Sequence, residues 1–161
     1  MSLSDRRTFL LFPLALAACG FTPVYGPGGT AGALYGKVQV AAPSDRESFL
    51  LVQDLEQRLG RSDNPAYDLD IFLSTVTEGQ AVTASGDITR YSIVGRADYV
   101  MTKHGTEEVI ASGSVDNFTG YSATGSTVET PAAERDARAR LMSILADQIT
   151  TRLFATVELP E

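Results

Sequence analysis

The chain has one cysteine, one histidine and no tryptophan in 161 residues, and each shortage closes off a class of chemistry. A single thiol has no partner for an internal disulfide, so a stapled framework is excluded. Zinc sites draw three or four ligands from His, Cys and carboxylates, and a lone histidine set in Lys103-His104-Gly105 supplies too little. The turn-like setting of His104 makes it a poor general base, and a cysteine nucleophile is excluded if the one thiol is otherwise engaged. No Gly-x-Ser-x-Gly motif occurs. With 13 basic against 20 acidic residues and a net charge of −7, nucleic acid and anionic lipid surfaces are poor partners. No apolar run reaches the roughly 20 residues of a membrane-spanning helix. The composition reads as a protein that is not an enzyme and holds no cofactor or metal.

What is present is concentrated at the amino terminus. Arg6 and Arg7 precede an apolar run from Phe9 to Ala17, and Ala17-Ala18 precede Cys19; this is the layout of a secretory signal peptide and its cleavage site. Leu16-Ala17-Ala18-Cys19 resembles the bacterial lipobox, in which the thiol receives a diacylglycerol, the peptide is cut between Ala18 and Cys19, and the new amino terminus is acylated. An ordinary signal peptide or short buried helix with an incidental cysteine is the other reading of these residues. Lipidation accounts for the lone thiol, and three acyl chains exceed the two-signal threshold for stable anchoring, each buried methylene contributing about 0.8 kcal/mol. Asp5-Arg6-Arg7-Thr8-Phe9-Leu10 also resembles a twin-arginine signal, so the Sec and twin-arginine routes both stay open. Gly20, where an aspartate would mark inner-membrane retention, favours delivery to the outer membrane. Cleavage removes two of the 13 basic and one of the 20 acidic residues, leaving a net charge of −8.

Phe21 to Leu34 is uncharged and rich in glycine and proline, a composition that disfavours helix and strand and reads as a tether. The expected organisation is a cleaved signal peptide over 1–18, a lipidated amino terminus and flexible tether over 19–35, one domain over 36–157, and a tail over 158–161.

Within that domain, Lys37 to Ala41 alternates as a short strand ended by Pro43. Ser44-Asp45-Arg46-Glu47 has capping-box spacing and predicts a helix from Ser44. Leu51, Val52, Leu55 and Leu59 form its apolar stripe and Gly60 its stop, with Asp54, Glu56 and Arg58 toward water. Asp68 to Thr77 places Leu69, Ile71 and Leu73 on one face and Asp68, Asp70, Phe72 and Ser74 on the other. Ser85-Gly86-Asp87 predicts a turn. Tyr91 to Met101 alternates in the same way, His104-Gly105-Thr106 makes a tight connection, and Val109, Ala111, Gly113 and Val115 predict a further strand. Strands this close in sequence pair as an antiparallel meander, whereas the first, separated by a helix, is free to lie parallel to a neighbour. Thr130-Pro131 supplies an N-cap and a first-turn proline for a long helix striped by Leu141, Ile144, Leu145, Ile149 and Leu153. One apolar sheet face and two striped helices bury all three surfaces only as a two-layer sandwich. The fold class is α+β, a four-stranded mostly antiparallel sheet with two helices on one face, in the order β-α-β-β-β-α.

Four groups of side chains are candidates for interaction. Asp68 and Asp70 point the same way from one strand, either to hold a cation or simply to solvate the outer face. Ser122 to Thr130 is a polar loop of a length that carries contacts. Arg90, Arg96 and Lys103 form the best basic group, either balancing Asp98 and Asp116 or contacting an anion such as a lipid phosphate. Phe72, Val94, Val100 and Phe118 are apolar on the nominally exposed face.

Cys19-Gly20-Phe21-Thr22-Pro23-Val24-Tyr25-Gly26, the element order and the run Val115-Asp116-Asn117-Phe118 together resemble the LptE family of lipopolysaccharide-assembly lipoproteins. The resemblance implies a non-catalytic protein at the periplasmic face of the outer membrane that plugs the LptD β-barrel translocon, helps assemble it, and assists delivery of lipopolysaccharide to the cell surface. A wide barrel has a polar lumen that a compact, polar-surfaced domain can fill. Some relatives have been assigned basic residues for lipopolysaccharide contact, one of them in the connection before the final helix, but here Gly105 to Glu134 contains neither lysine nor arginine. Arg90, Arg96 and Lys103 are therefore candidates for lipopolysaccharide or partner contact by location only. An accessory lipoprotein of an ABC-type lipid transport system shares the same export features, and a periplasmic hydrolase acting through Asp68 or Asp70 is a third reading.

Overall fold

Three strands more than twice the usual length organise the molecule. The computed structural model describes residues 26, 29–82, 88–124 and 128–157. The element order is α1 (Thr30–Leu34), β1 (Val38–Val40), α2 (Arg46–Leu59), β2 (Tyr67–Val82), β3 (Ile88–Lys103), β4 (Val109–Ser122) and α3 (Glu129–Thr156). One sheet has the strand order β1-β2-β3-β4. β1 runs parallel to β2, pairing Val38 with Tyr67 and Val40 with Leu69, and the other pairings are antiparallel. The α+β class and its mostly antiparallel sheet match the sequence expectation.

The core lies between one sheet face and the helices. Leu69, Ile93, Ala97, Met101 and Val115 come from the sheet, Leu51, Leu55 and Leu59 from α2, and Leu141, Leu145, Ile149 and Leu153 from α3, all at most 1% exposed. At Gly95 the long helix seats directly on the strand: a Cβ there would stand 2.9 Å from Leu141 Cδ2 and 3.2 Å from Leu145 Cδ1. Gly60 closes α2 at a φ of 75°, a left-handed conformation costly for other residues.

Several local expectations are corrected. Residues 30–34 do form a helix, and Ala31 and Leu34 are buried; the alanines and Leu34 find core contacts that outweigh the glycines around them. α2 starts one residue later than the Ser44-Glu47 spacing predicts. Asp45 is the N-cap and Ser48 completes the box, with Ser48 N donating to Asp45 Oδ1 at 2.7 Å and Asp45 N donating to Ser48 Oγ at 2.9 Å. The short serine hydroxyl does the work expected of Glu47, which is engaged elsewhere. α3 starts at Glu129 after Val128, without a side-chain cap, so Thr130 and Pro131 both sit inside the first turn, where a missing proline N–H costs nothing.

β4 carries a bulge. Met101 pairs with Ala111 but Thr102 pairs with Val109, so Ile110 is the extra residue and Val109 swings to the outer face, 57% exposed. The α3 stripe is broader than drawn from sequence, because the helix touches both the sheet and α2. Met142, Ala146, Thr150 and Phe154 are buried beside the leucine line, whereas Ile144 is 36% exposed. Leu16 to Cys19, Ser85-Gly86-Asp87 and the tail over 158–161 lie outside the described residues.

Candidate functional site

Among the described residues, helices occupy one face of the sheet, and the other is the candidate site. Register fixes its rows. Val76 lies opposite Val94 and Val94 opposite Phe118, forming an apolar row across all three long strands. The next row places Ser74, Arg96 and Asp116 side by side, and the one after it Phe72, Asp98 and Ser114. Phe72 and Phe118 are 68% and 67% exposed and Val76 59%. An apolar row beside polar rows bridged by the Arg96–Asp98 ion pair suits a broad, wet protein interface more than a lipid-filled cleft.

The three cations singled out from sequence do not converge. At about 3.4 Å per residue, Arg90, Arg96 and Lys103 are spread along most of β3. Arg96 Nη2 lies 2.9 Å from Asp98 Oδ1; hydrogen bonding to Asp98 raises the guanidinium pKa, and the Arg96 guanidinium in turn holds the Asp98 carboxyl below the usual carboxylate range. Lys103 Nζ faces Glu108 Oε2 at 3.9 Å. Arg90 is exposed and has no partner among the described residues. Charge balance thus describes Arg96 and Lys103.

His104 is more than a solvated turn residue. Its Nδ1 lies 2.9 Å from both carboxylate oxygens of Asp68, tying the β3–β4 turn to the start of β2. The carboxylate accepts, so the proton sits on Nδ1. Asp70 is exposed beside this pair, and among the described residues no group of three or more His, Cys, Asp or Glu could hold a metal ion.

Two features escaped sequence reasoning. On the helix side, Arg138 of α3 donates to Glu47 of α2, to Glu134 Oε1 at 2.8 Å and to Thr77 Oγ1 at 3.2 Å, while Thr75 Oγ1 donates to Glu47 Oε2 at 2.8 Å. Burial opposes the charge on Arg138, but the hydrogen bonds to Glu134 and Glu47 outweigh it and raise its pKa. The Glu134-Arg138 spacing of four is visible in sequence; Glu47 and Thr75 are not. Beyond this network Tyr91 and Tyr121, direct cross-strand partners, stack with centroids 5.3 Å apart, and burial raises the pKa of the Tyr121 hydroxyl.

A family model described as LptE, lipopolysaccharide-assembly, matches residues 35–153. The chain belongs to the LptE family. Solved structures share this LptE-family fold at low identity. One from Caulobacter crescentus, described as a lipoprotein, superposes with a TM-score of 0.65 at 16% identity, covering 78% of this chain and 94% of that one. The rare lipoprotein B of Shewanella oneidensis gives 0.57 at 11% identity over 74% and 93%, and a minor lipoprotein of Acinetobacter baumannii gives 0.52 at 17% over 78% and 98%. No curated protein sequence matches.

Proposed function

We propose that this LptE-family chain is an outer-membrane lipoprotein that plugs an LptD-like β-barrel, helps assemble it, and so serves insertion of lipopolysaccharide at the cell surface. The family match over 35–153, which takes in almost the whole folded body, carries the reading. The open sheet face supports it, since a plug needs a broad surface of mixed polarity. Cys19 would be the lipidated first residue of the mature chain, released between Ala18 and Cys19 and held at the periplasmic face, with α1 marking where the tether joins the body. The role is binding and assembly, without catalysis. Arg90, lacking a described partner, is the cation most available to a lipopolysaccharide phosphate; Arg96 and Lys103 would first have to leave Asp98 and Glu108.

Gentle detergent extraction of the lipidated protein from its native host tests this. A barrel protein should co-purify in stoichiometric amount, and mass spectrometry should find an acylated chain beginning at Cys19. Recovery of monomer alone, or of a bare thiol with residues 1–18 still attached, overturns the proposal.

A further inference from the structure

β1 is only three residues long and covers only Tyr67, Asp68 and Leu69 of β2. Beyond it Ala41 N donates to Leu69 O at 2.9 Å, and Pro43 then turns the chain away toward α2. Backbone groups alternate in direction along a strand. Since Tyr67 N and Leu69 O face β1, the N–H and C=O of Ile71, Leu73, Thr75 and Thr77 face the same way, toward an edge that no strand among the described residues occupies. The even residues between them turn their N–H and C=O toward β3.

Natural edge strands blunt themselves with charge, proline or bulges. Ile71-Phe72-Leu73-Ser74-Thr75-Val76-Thr77 has no charged residue, proline or glycine, is rich in β-branched side chains, and keeps regular register until the irregularity after Gly79. Among the described residues it is an open edge of the kind that pairs with another strand. Where β1 ends, a notch of about 50 Å³ continues its line, walled by Leu51, Val52, Ile71 and Leu73 and by the Ala41–Ser44 turn. The opposite edge differs: α3 reaches its outward carbonyls through Arg152 to Ser114 O and through Arg140 Nη2 to Gly120 O at 3.5 Å.

We infer that the β2 edge from Ile71 to Thr77 is a strand-addition site, continuing the line of β1, for an extended segment of the barrel partner. The inference rests on the plug reading above. Backbone hydrogen bonds supply the attachment and a small apolar side chain fills the notch. The segment comes from outside the closed wall, since a closed barrel has no unpaired edge.

Residue-resolved amide exchange on the lipidated protein, alone and in the purified barrel complex, reads this directly. Alone, the amides of Leu73, Thr75 and Thr77 should exchange much faster than those of Ser74 and Val76; in the complex the odd amides should slow at least tenfold. Exchange at the odd positions unchanged in the complex overturns the inference. Thr77→Pro removes an edge-facing N–H without touching the β3 ladder, and should lower barrel co-purification at least tenfold, while Thr77→Ala, which loses only the Arg138 contact, should not. Wild-type recovery for Thr77→Pro with its fold intact overturns strand addition and leaves the plug reading standing. A wild type that brings down no barrel at all overturns both.

Discussion

The two faces of the sheet are made by alternate residues of the same three strands, yet one is a packed core and the other is open. Composition alone does not separate them: the inner face contributes Leu69, Ile93 and Met101, and the outer face Phe72, Val76, Val94 and Phe118. What separates them, among the described residues, is the helices, which carry their stripes to one side. An apolar residue on the inner face is therefore paired with a specific neighbour, and one on the outer face waits for whatever covers the sheet. The two faces should respond oppositely to mutation, the inner through stability and the outer through binding.

The largest expected effect is on the inner face. Leu145→Ala removes a fully buried side chain between α3 and the sheet and should cost about 2–5 kcal/mol in urea unfolding, a large part of the stability of a domain this size. Gly95→Ala comes next. Its new methyl would press on Leu141 and Leu145 and should cost about 1–3 kcal/mol through overpacking. Gly120→Ala, on the outer face, meets only Tyr91 O at 3.4 Å and should stay within about 0.5 kcal/mol; equal losses at the two glycines would break the contrast between the faces.

A smaller effect sharpens the role of the covering helices. Asp45→Ala removes the α2 cap and should cost about 1 kcal/mol at neutral pH. The backbone N–H of Ser48 lowers the Asp45 carboxyl pKa in the folded state, so this stabilisation is full above the unfolded-state value, near pH 4, and is lost as pH falls through the lower folded-state value. Unfolding curves of wild type and variant should therefore converge on acidification. A difference that persists to pH 2 would show that the cap owes little to the carboxylate.

Strand periodicity made the sheet legible because burial on one face imposes period two, and the odd positions of Tyr91–Met101 read directly as core. Helix faces were legible for the same reason: Leu51, Leu55 and Leu59 can share a stripe in only one way. Boundaries were less so. Asp45 and Ser48 compete with Ser44 and Glu47 for the same orphan amides, and the choice turns on Glu47 being drawn to Arg138 and Thr75, contacts remote in sequence. The Val109 bulge and the helix at Thr30–Leu34 depend on tertiary packing that local pattern does not encode. The outer face was legible as a set of apolar residues, but its order was not, because the row Val76, Val94, Phe118 exists only once register is fixed.

The smallest expected change in stability belongs to that row, and it separates the faces most cleanly. Phe118 is two-thirds exposed, so Phe118→Ala gives up little burial on folding and should alter unfolding by no more than about 0.5 kcal/mol. If the outer face is where the barrel sits, an aromatic at the end of an apolar row is the type of residue that concentrates binding energy, and truncating it should cost about 2 kcal/mol of association. That loss would appear as a roughly thirtyfold weaker complex from a protein that melts like wild type. A clear loss of stability with unchanged co-purification would instead mean that Phe118 serves the fold, and the row would cease to mark an interface.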